Sequence, residues 1–183
     1  MILLLELEVA VLDQQAQVRL LALDQASVTT GWSVFVDKEL IEFGKFTLQG
    51  ELDERLVAIR QKVTELIDKY EINYVAFENI QMQNSVGNNV QTFKTLAEIL
   101  GNIRELVKEK NLPYQVVTAS TWKSYSKIKG RKRAEQKKNA QLYVIEKFNI
   151  KPTQDEADAI CIGLYASNHL NGQEDNDEGY DWS

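Results

Sequence analysis

Three short strand-like runs come first in this chain with no helix-length segment between them, and each later strand-like run follows a helix-length one. That order restricts the fold more than any other feature. Arg19–Asp24 (RLLALD) is an apolar run closing on an acid, as a buried strand does. Residues 31–36 and Glu39–Thr47 read as two further strands about a tight turn at Asp37-Lys38, giving an antiparallel meander. Leu52, Leu56, Ile59, Val63, Leu66, Ile67 and Tyr70 then recur at helical spacing. Residues 74–77 predict a strand that ends at Glu78, and Tyr114–Val117 predicts another. Helices are expected over residues 90–110, around Ala119–Tyr125 and over residues 134–148. Thr153-Gln154-Asp155-Glu156 fits a capping box, with Glu156 reaching back to Thr153, and opens a last helix with Ala157, Ile160, Cys161, Leu164 and Tyr165 on its apolar face. Crossover connections make the later strands parallel to the first. The expected fold is α/β, a mixed sheet of three antiparallel strands and then parallel strands, flanked by helices.

The 183 residues suit one domain with short appendages. We divide them into an N-terminal extension over residues 1–18, a folded body over 19–170, and an acidic tail over 171–183 that is too polar to pack. The tail carries Glu174, Asp175, Asp177, Glu178 and Asp181 and no base, and without it the formal charge of −6 falls to 22 acids against 21 bases. Residues 123–138, in contrast, hold Lys123, Lys127, Lys129, Arg131, Lys132, Arg133, Lys137 and Lys138 against one acid, Glu135. Such a run is either a solvated loop or a phosphate-binding surface. A lone cysteine, Cys161 between two isoleucines, excludes an internal disulfide and reads as a buried, inert thiol. The apolar start Ile2–Leu5 is broken by Glu6 and Glu8 and has no base before Arg19, unlike a secretory leader, and no segment has the length of a membrane span. The cytoplasm is the expected compartment.

Four acids interrupt otherwise apolar or structurally defined segments. Asp24 and Glu78 each end a strand, and Asp155 and Asp158 stand three residues apart at the start of the last helix, on one face. Clustered carboxylates suit phosphodiester hydrolysis, because they hold two Mg²⁺ ions, one activating water and one stabilising the leaving oxygen. Oxygen-only donors favour a hard cation, and a single histidine and a single cysteine leave little for zinc. Each acid also has a plainer reading. Asp155 complements a helix dipole, Asp24 caps a turn in the polar run Gln25–Thr30, Glu78 pairs with a lysine, and Asp158 is solvated. Spacing alone leaves both readings open. His169, near the end of the last helix, suits the dipole there, and Trp32 and Trp122 are expected in or near the core.

The segments LALDQASVTTGWSVF, AFENIQM and DEADAICIG resemble, in order and spacing across residues 19–168, the three acidic motifs of RuvC-type Holliday-junction resolvases, nearest to the RuvC-like proteins of lactococcal phages. The resemblance implies a ribonuclease-H-like fold and a Mg²⁺-dependent endonuclease, with Mn²⁺ able to substitute. It implies that Asp24, Glu78, Asp155 and Asp158 bind the metal ions, that Lys137 serves cleavage, and that Lys123 handles DNA. It further implies a homodimer that places paired nicks in four-way and other branched DNA, with no small-molecule cofactor, acting in the bacterial host's cytoplasm if the gene is a phage's. Lys129, Arg131, Lys132, Arg133 and Lys138 are the candidate phosphate contacts. Residues 129–133 stand where the family carries a glycine-rich loop before the cleavage lysine. Gln81 stands where many cellular members place a base-wedging aromatic, so weak sequence selectivity is expected.

The same residues admit other readings. Asp24 followed by Thr29-Thr30-Gly31 is similar to the first phosphate motif of actin-like ATPases, but the nine glycines form no second phosphate loop. An RNA-processing nuclease of the same fold and a non-catalytic DNA-binding module are the remaining alternatives.

Overall fold

The computed structural model describes residues 17–80 and 89–170. The extension up to residue 16, the segment holding Gln81, and the acidic tail lie outside the described residues. In chain order the elements are β1 (Arg19–Asp24), β2 (Thr29–Val36), β3 (Glu39–Thr47), α1 (Leu52–Lys69), β4 (Tyr74–Glu78), α2 (Asn89–Glu109), β5 (Tyr114–Val117), α3 (Ala119–Tyr125), α4 (Arg133–Phe148) and α5 (Gln154–Asn168). The strands form one mixed sheet in the order β3-β2-β1-β4-β5. β1, β2 and β3 pair antiparallel, and β4 runs parallel to both β1 and β5. Asp37 and Lys38 both take positive φ, 47° and 75°, in the two-residue turn between β2 and β3, the backbone twist that matches a hairpin. β2 begins two residues earlier than the apolar pattern suggests, because Thr29 and Thr30 pair with Thr47 and Phe46.

Strand alternation divides the apolar residues between two cores. Leu21, Leu23, Val34, Val75 and Phe77 pack on one face against Ile59 and Val63 of α1 and Ile99 and Ile103 of α2. Leu20, Ala22, Phe35, Ala76 and Val117 pack on the other face against Trp122, Ala140, Val144 and most of α5. Every residue from Ala157 to Leu164 of α5 is buried, so this helix lies inside the fold and needs no amphipathic face. Each fully buried side chain such as Ile160 or Ile162 contributes roughly 1.5–3 kcal/mol.

Two glycines let α5 approach the sheet. A Cβ on Gly31 of β2 would lie 2.0 Å from the Asp155 carbonyl oxygen, and one on Gly163 would lie 2.5 Å from the Phe35 ring. The Ser33 hydroxyl donates to the Ala159 carbonyl at 2.8 Å and locks the contact between them. No helix among the described residues is long and apolar enough to cross a membrane.

Candidate active site

Period-two alternation puts Asp24 on the α5 face of the sheet, with Leu20 and Ala22, and puts Glu78 there with Ala76. The parallel register runs to Leu23↔Phe77, so the two acids emerge side by side at the carboxyl ends of β1 and β4. The strand order reverses at this point, with β2 and β3 built outward on one side and β4 and β5 on the other. Crevices at such reversals are the usual ligand sites of open α/β sheets.

The start of α5 supplies the other two acids. Its first turn is held by the Thr153 N–H, which donates to Glu156 at 2.7 Å, and Gly31, paired with Asp24 across β1 and β2, admits that turn against the sheet. From α4, Lys137 Nζ donates to Asp155 Oδ1 at 3.0 Å and lies 3.8 Å from Asp158 Oδ2. All four acids and Lys137 line one cavity of about 310 Å³, together with Gln25, Trp122, Lys123 and Arg133. The structure thus brings Asp24, Glu78, Asp155, Asp158, Lys137, Lys123 and Arg133 into one place.

The cavity is crowded with negative charge. Burial, and then the charge of Glu78, push the Asp24 carboxyl well above its ordinary value. Burial likewise raises Glu78, against the bond from Asp24 and the nearby charge of Lys123. Asp158 is pushed up to about 7, first by burial and then by the charge of Asp24, with Lys137 and Lys123 pulling the other way. Burial works against the Lys137 charge, but its bond to Asp155 and the charges of Asp158, Asp155 and Asp24 outweigh that and raise it.

The donors fit a hard divalent cation. All are carboxylate oxygens; the lone His169 caps the far end of α5, stacked on Tyr165 at 4.3 Å, and Cys161 is buried. Among the described residues no three acidic, thiol or imidazole groups are already gathered as a metal cage. Asp155 and Asp158 are partnered by Lys137, whereas Asp24 and Glu78 meet with burial and the charge of Glu78 raising the Asp24 carboxyl. A divalent cation would offset the negative charge that these buried carboxylates concentrate.

The other basic residues lie around the cavity rather than in it. Lys129, Arg131, Lys132 and Lys138 are exposed and do not line it. The loop that carries most of them is tied to α4 through its backbone. Asn139 donates to the Lys129 carbonyl at 2.7 Å, Gln136 donates to the Gly130 carbonyl at 2.9 Å, and the Arg131 N–H donates to Glu135 at 3.0 Å. Lys123 donates to Gln136 at 3.1 Å and sits 5.2 Å from the Trp122 ring centroid. Two cavity residues carry roles that sequence reasoning missed. Gln25 bonds the backbone of Glu78. The Trp122 indole, buried, lines the same cavity as Glu78 and acts to lower the Glu78 pKa.

The strand order, the pairing directions and the helices on both faces define a ribonuclease-H-like fold. Thermus thermophilus RuvC, solved with a Holliday-junction substrate, superposes with a TM-score of 0.65 at 15% identity, covering 84% of this chain and 94% of that one. Fowlpox virus resolvase, solved with Holliday-junction DNA, gives 0.58 at 13% identity over 83% of this chain and 98% of its own. The yeast mitochondrial Holliday-junction resolvase Ydc2 gives 0.57 at 12% identity over 82% and 78%. At these identities the likeness speaks for the fold. The chain belongs to the family described as Lactococcus phage M3 protein (DUF3882), whose model matches residues 43–168. No curated protein matches the sequence.

Proposed function

We propose that this chain is a divalent-metal-dependent endonuclease that resolves branched DNA, four-way junctions above all, by paired cuts made as a homodimer. One observation carries the reading: Asp24, Glu78, Asp155 and Asp158 converge with Lys137 on one cavity at the carboxyl ends of β1 and β4. Asp24, Glu78, Asp155 and Asp158 would hold two Mg²⁺ ions, or Mn²⁺ in their place. Such ions, when bound, activate the attacking water and stabilise the leaving oxygen. Lys137, oriented by Asp155, presents its ammonium to the scissile phosphate, where charge develops.

Arg133 reaches the cavity, and Lys129, Arg131, Lys132 and Lys138 extend positive charge away from it. Their contacts with phosphate would hold DNA without reading its sequence. Lys123, anchored on Gln136, adds a further cation at the cavity wall. Because the loop's backbone is fixed to α4, little loop ordering is needed when its side chains meet phosphate. Three structural neighbours with this fold are junction resolvases, which supports branched DNA as the substrate. A junction with two-fold symmetry, cut on two strands, suits an isologous dimer.

The substrate class is tested by a cleavage panel: a four-way DNA junction, a DNA flap and a structured RNA, each with Mg²⁺. The four-way junction and other branched DNAs should be cut at comparable sites in many sequences. Cleavage confined to the RNA would replace this reading with an RNA-processing one.

A further inference from the structure

Strand β1 stops pairing with β4 at Leu23↔Phe77, one residue short of Glu78. A side chain continues the ladder from there. The Glu78 N–H donates to Gln25 Oε1 at 3.2 Å, and Gln25 Nε2 donates to the Glu78 carbonyl. A side-chain amide offers a donor and an acceptor, as a peptide unit does, and Gln25 uses both on one residue. Gln25 is 6% exposed, so water competes little for these bonds. Its loop is held in turn: Arg55 donates to the Ser27 carbonyl at 2.5 Å, and the Leu48 N–H donates to the Val28 carbonyl at 2.6 Å. On the other flank, β5 pairs Val117 with Glu78, and the Asn79 N–H donates to the Val117 carbonyl at 2.8 Å. The backbone of Glu78 is therefore fixed on both sides at the point where a strand end would otherwise fray.

We propose that Gln25 is a positioning residue for the acidic site: its amide stands in for a missing strand residue, fixes the backbone of Glu78, and so sets the gap between the Glu78 and Asp24 carboxylates. Asp24 and Gln25 are adjacent in sequence, so one dipeptide supplies an acid and the support of that acid's partner. The inference rests on reading those acids as metal ligands. Outer supports of this kind typically change metal affinity by about 10- to 100-fold when removed.

The test compares the full-length wild type with Gln25→Leu, which loses both bonds, and Gln25→Asn, whose amide is one methylene too short. Three properties are measured: the circular dichroism spectrum, the rise in melting temperature across a Mn²⁺ titration, and hydrogen exchange at the Glu78 amide. Both variants should keep the native spectrum and lose protection at Glu78. The Mn²⁺ concentration giving half the stabilisation should rise about 10-fold, and added Mn²⁺ should recover part of any lost cleavage. If Gln25→Leu does not fold, Gln25→Asn carries the test, since it keeps a polar amide at the position. Retained protection at Glu78, or lost protection with an unchanged Mn²⁺ midpoint, overturns the positioning role alone. A wild type whose melting temperature ignores Mn²⁺ overturns the metal-site reading and the role of Gln25 with it.

Discussion

Gly31 and Asp155 meet backbone to backbone: a Cβ on Gly31 would stand 2.0 Å from the Asp155 carbonyl oxygen and 2.5 Å from its carbonyl carbon. Gly31 pairs with Asp24 across the β1–β2 ladder. One missing side chain therefore brings the start of α5, with Asp155 in its first turn and Asp158 just beyond it, over the strand that carries Asp24.

Gly31→Ala should accordingly harm both stability and the site. The methyl has no flexible neighbour to displace, only helix backbone, and overpacking of this kind costs roughly 1–3 kcal/mol. The urea midpoint should fall, and cleavage by the protein that remains folded should fall with it. An alanine variant with wild-type midpoint and rate would show that α5 can shift without consequence.

The crowded acids predict a pH dependence for the metal-free protein. A carboxyl whose pKa is raised on folding holds its proton more tightly in the folded state, so its contribution to stability is full at low pH and is lost as pH rises through the folded value. For Asp158 that window runs from its ordinary 3.8 to about 7. Melting temperature in the presence of a chelator should fall across that range, and Asp158→Asn should flatten the fall. A variant curve parallel to the wild type's would place the pH dependence elsewhere.

How far these features are legible in the sequence differs by residue. Asp24 and Glu78 stand out because each ends an apolar run, and a parallel register for two such strands places their ends together. Thr153 and Glu156 mark the start of α5 by the chemistry of capping alone. Gly31 is harder to read, because a glycine inside a strand pattern also fits a bulge, and only the packed helix reveals why a side chain is excluded. Gln25 is opaque: in a polar turn it looks like any other loop residue, and its partner is 53 positions away. Trp122 reads as core, and it is core, but its place in the wall of the acidic cavity depends on the tertiary fold. The contribution of Gln81 falls on a segment outside the described residues.

Lys137 and the basic loop should separate catalysis from binding. Lys137→Ala should lower cleavage more than junction affinity, because its ammonium contacts Asp155 inside the cavity. Changing Lys129, Arg131, Lys132 and Arg133 together should weaken binding and flatten its salt dependence, as lost phosphate contacts release fewer counterions. A quadruple variant that binds with an unchanged salt slope would reduce the segment to a solvated loop.

Cys161 should be inert in the folded protein. Burial pushes its thiol up to about 12, and it is the thiolate that reacts. A thiol reagent at pH 8 should modify Cys161 at the rate of unfolding and stoichiometrically in denaturant. Fast labelling of the native protein would contradict its burial within α5.

The acids themselves are the most direct test of the central claim. Wild type and the variants Asp24→Asn, Glu78→Gln, Asp155→Asn and Asp158→Asn are each given a four-way DNA junction, with and without Mg²⁺, and the products are mapped to the nucleotide while binding is measured in parallel. The expected result is paired, symmetry-related nicks by the wild type in Mg²⁺ only, and at least about 10- to 100-fold slower cleavage by each variant with junction affinity largely kept. Cleavage by the wild type without a divalent ion, or an amide variant retaining more than about a tenth of the wild-type rate, would contradict the assignment of these carboxylates as the metal site.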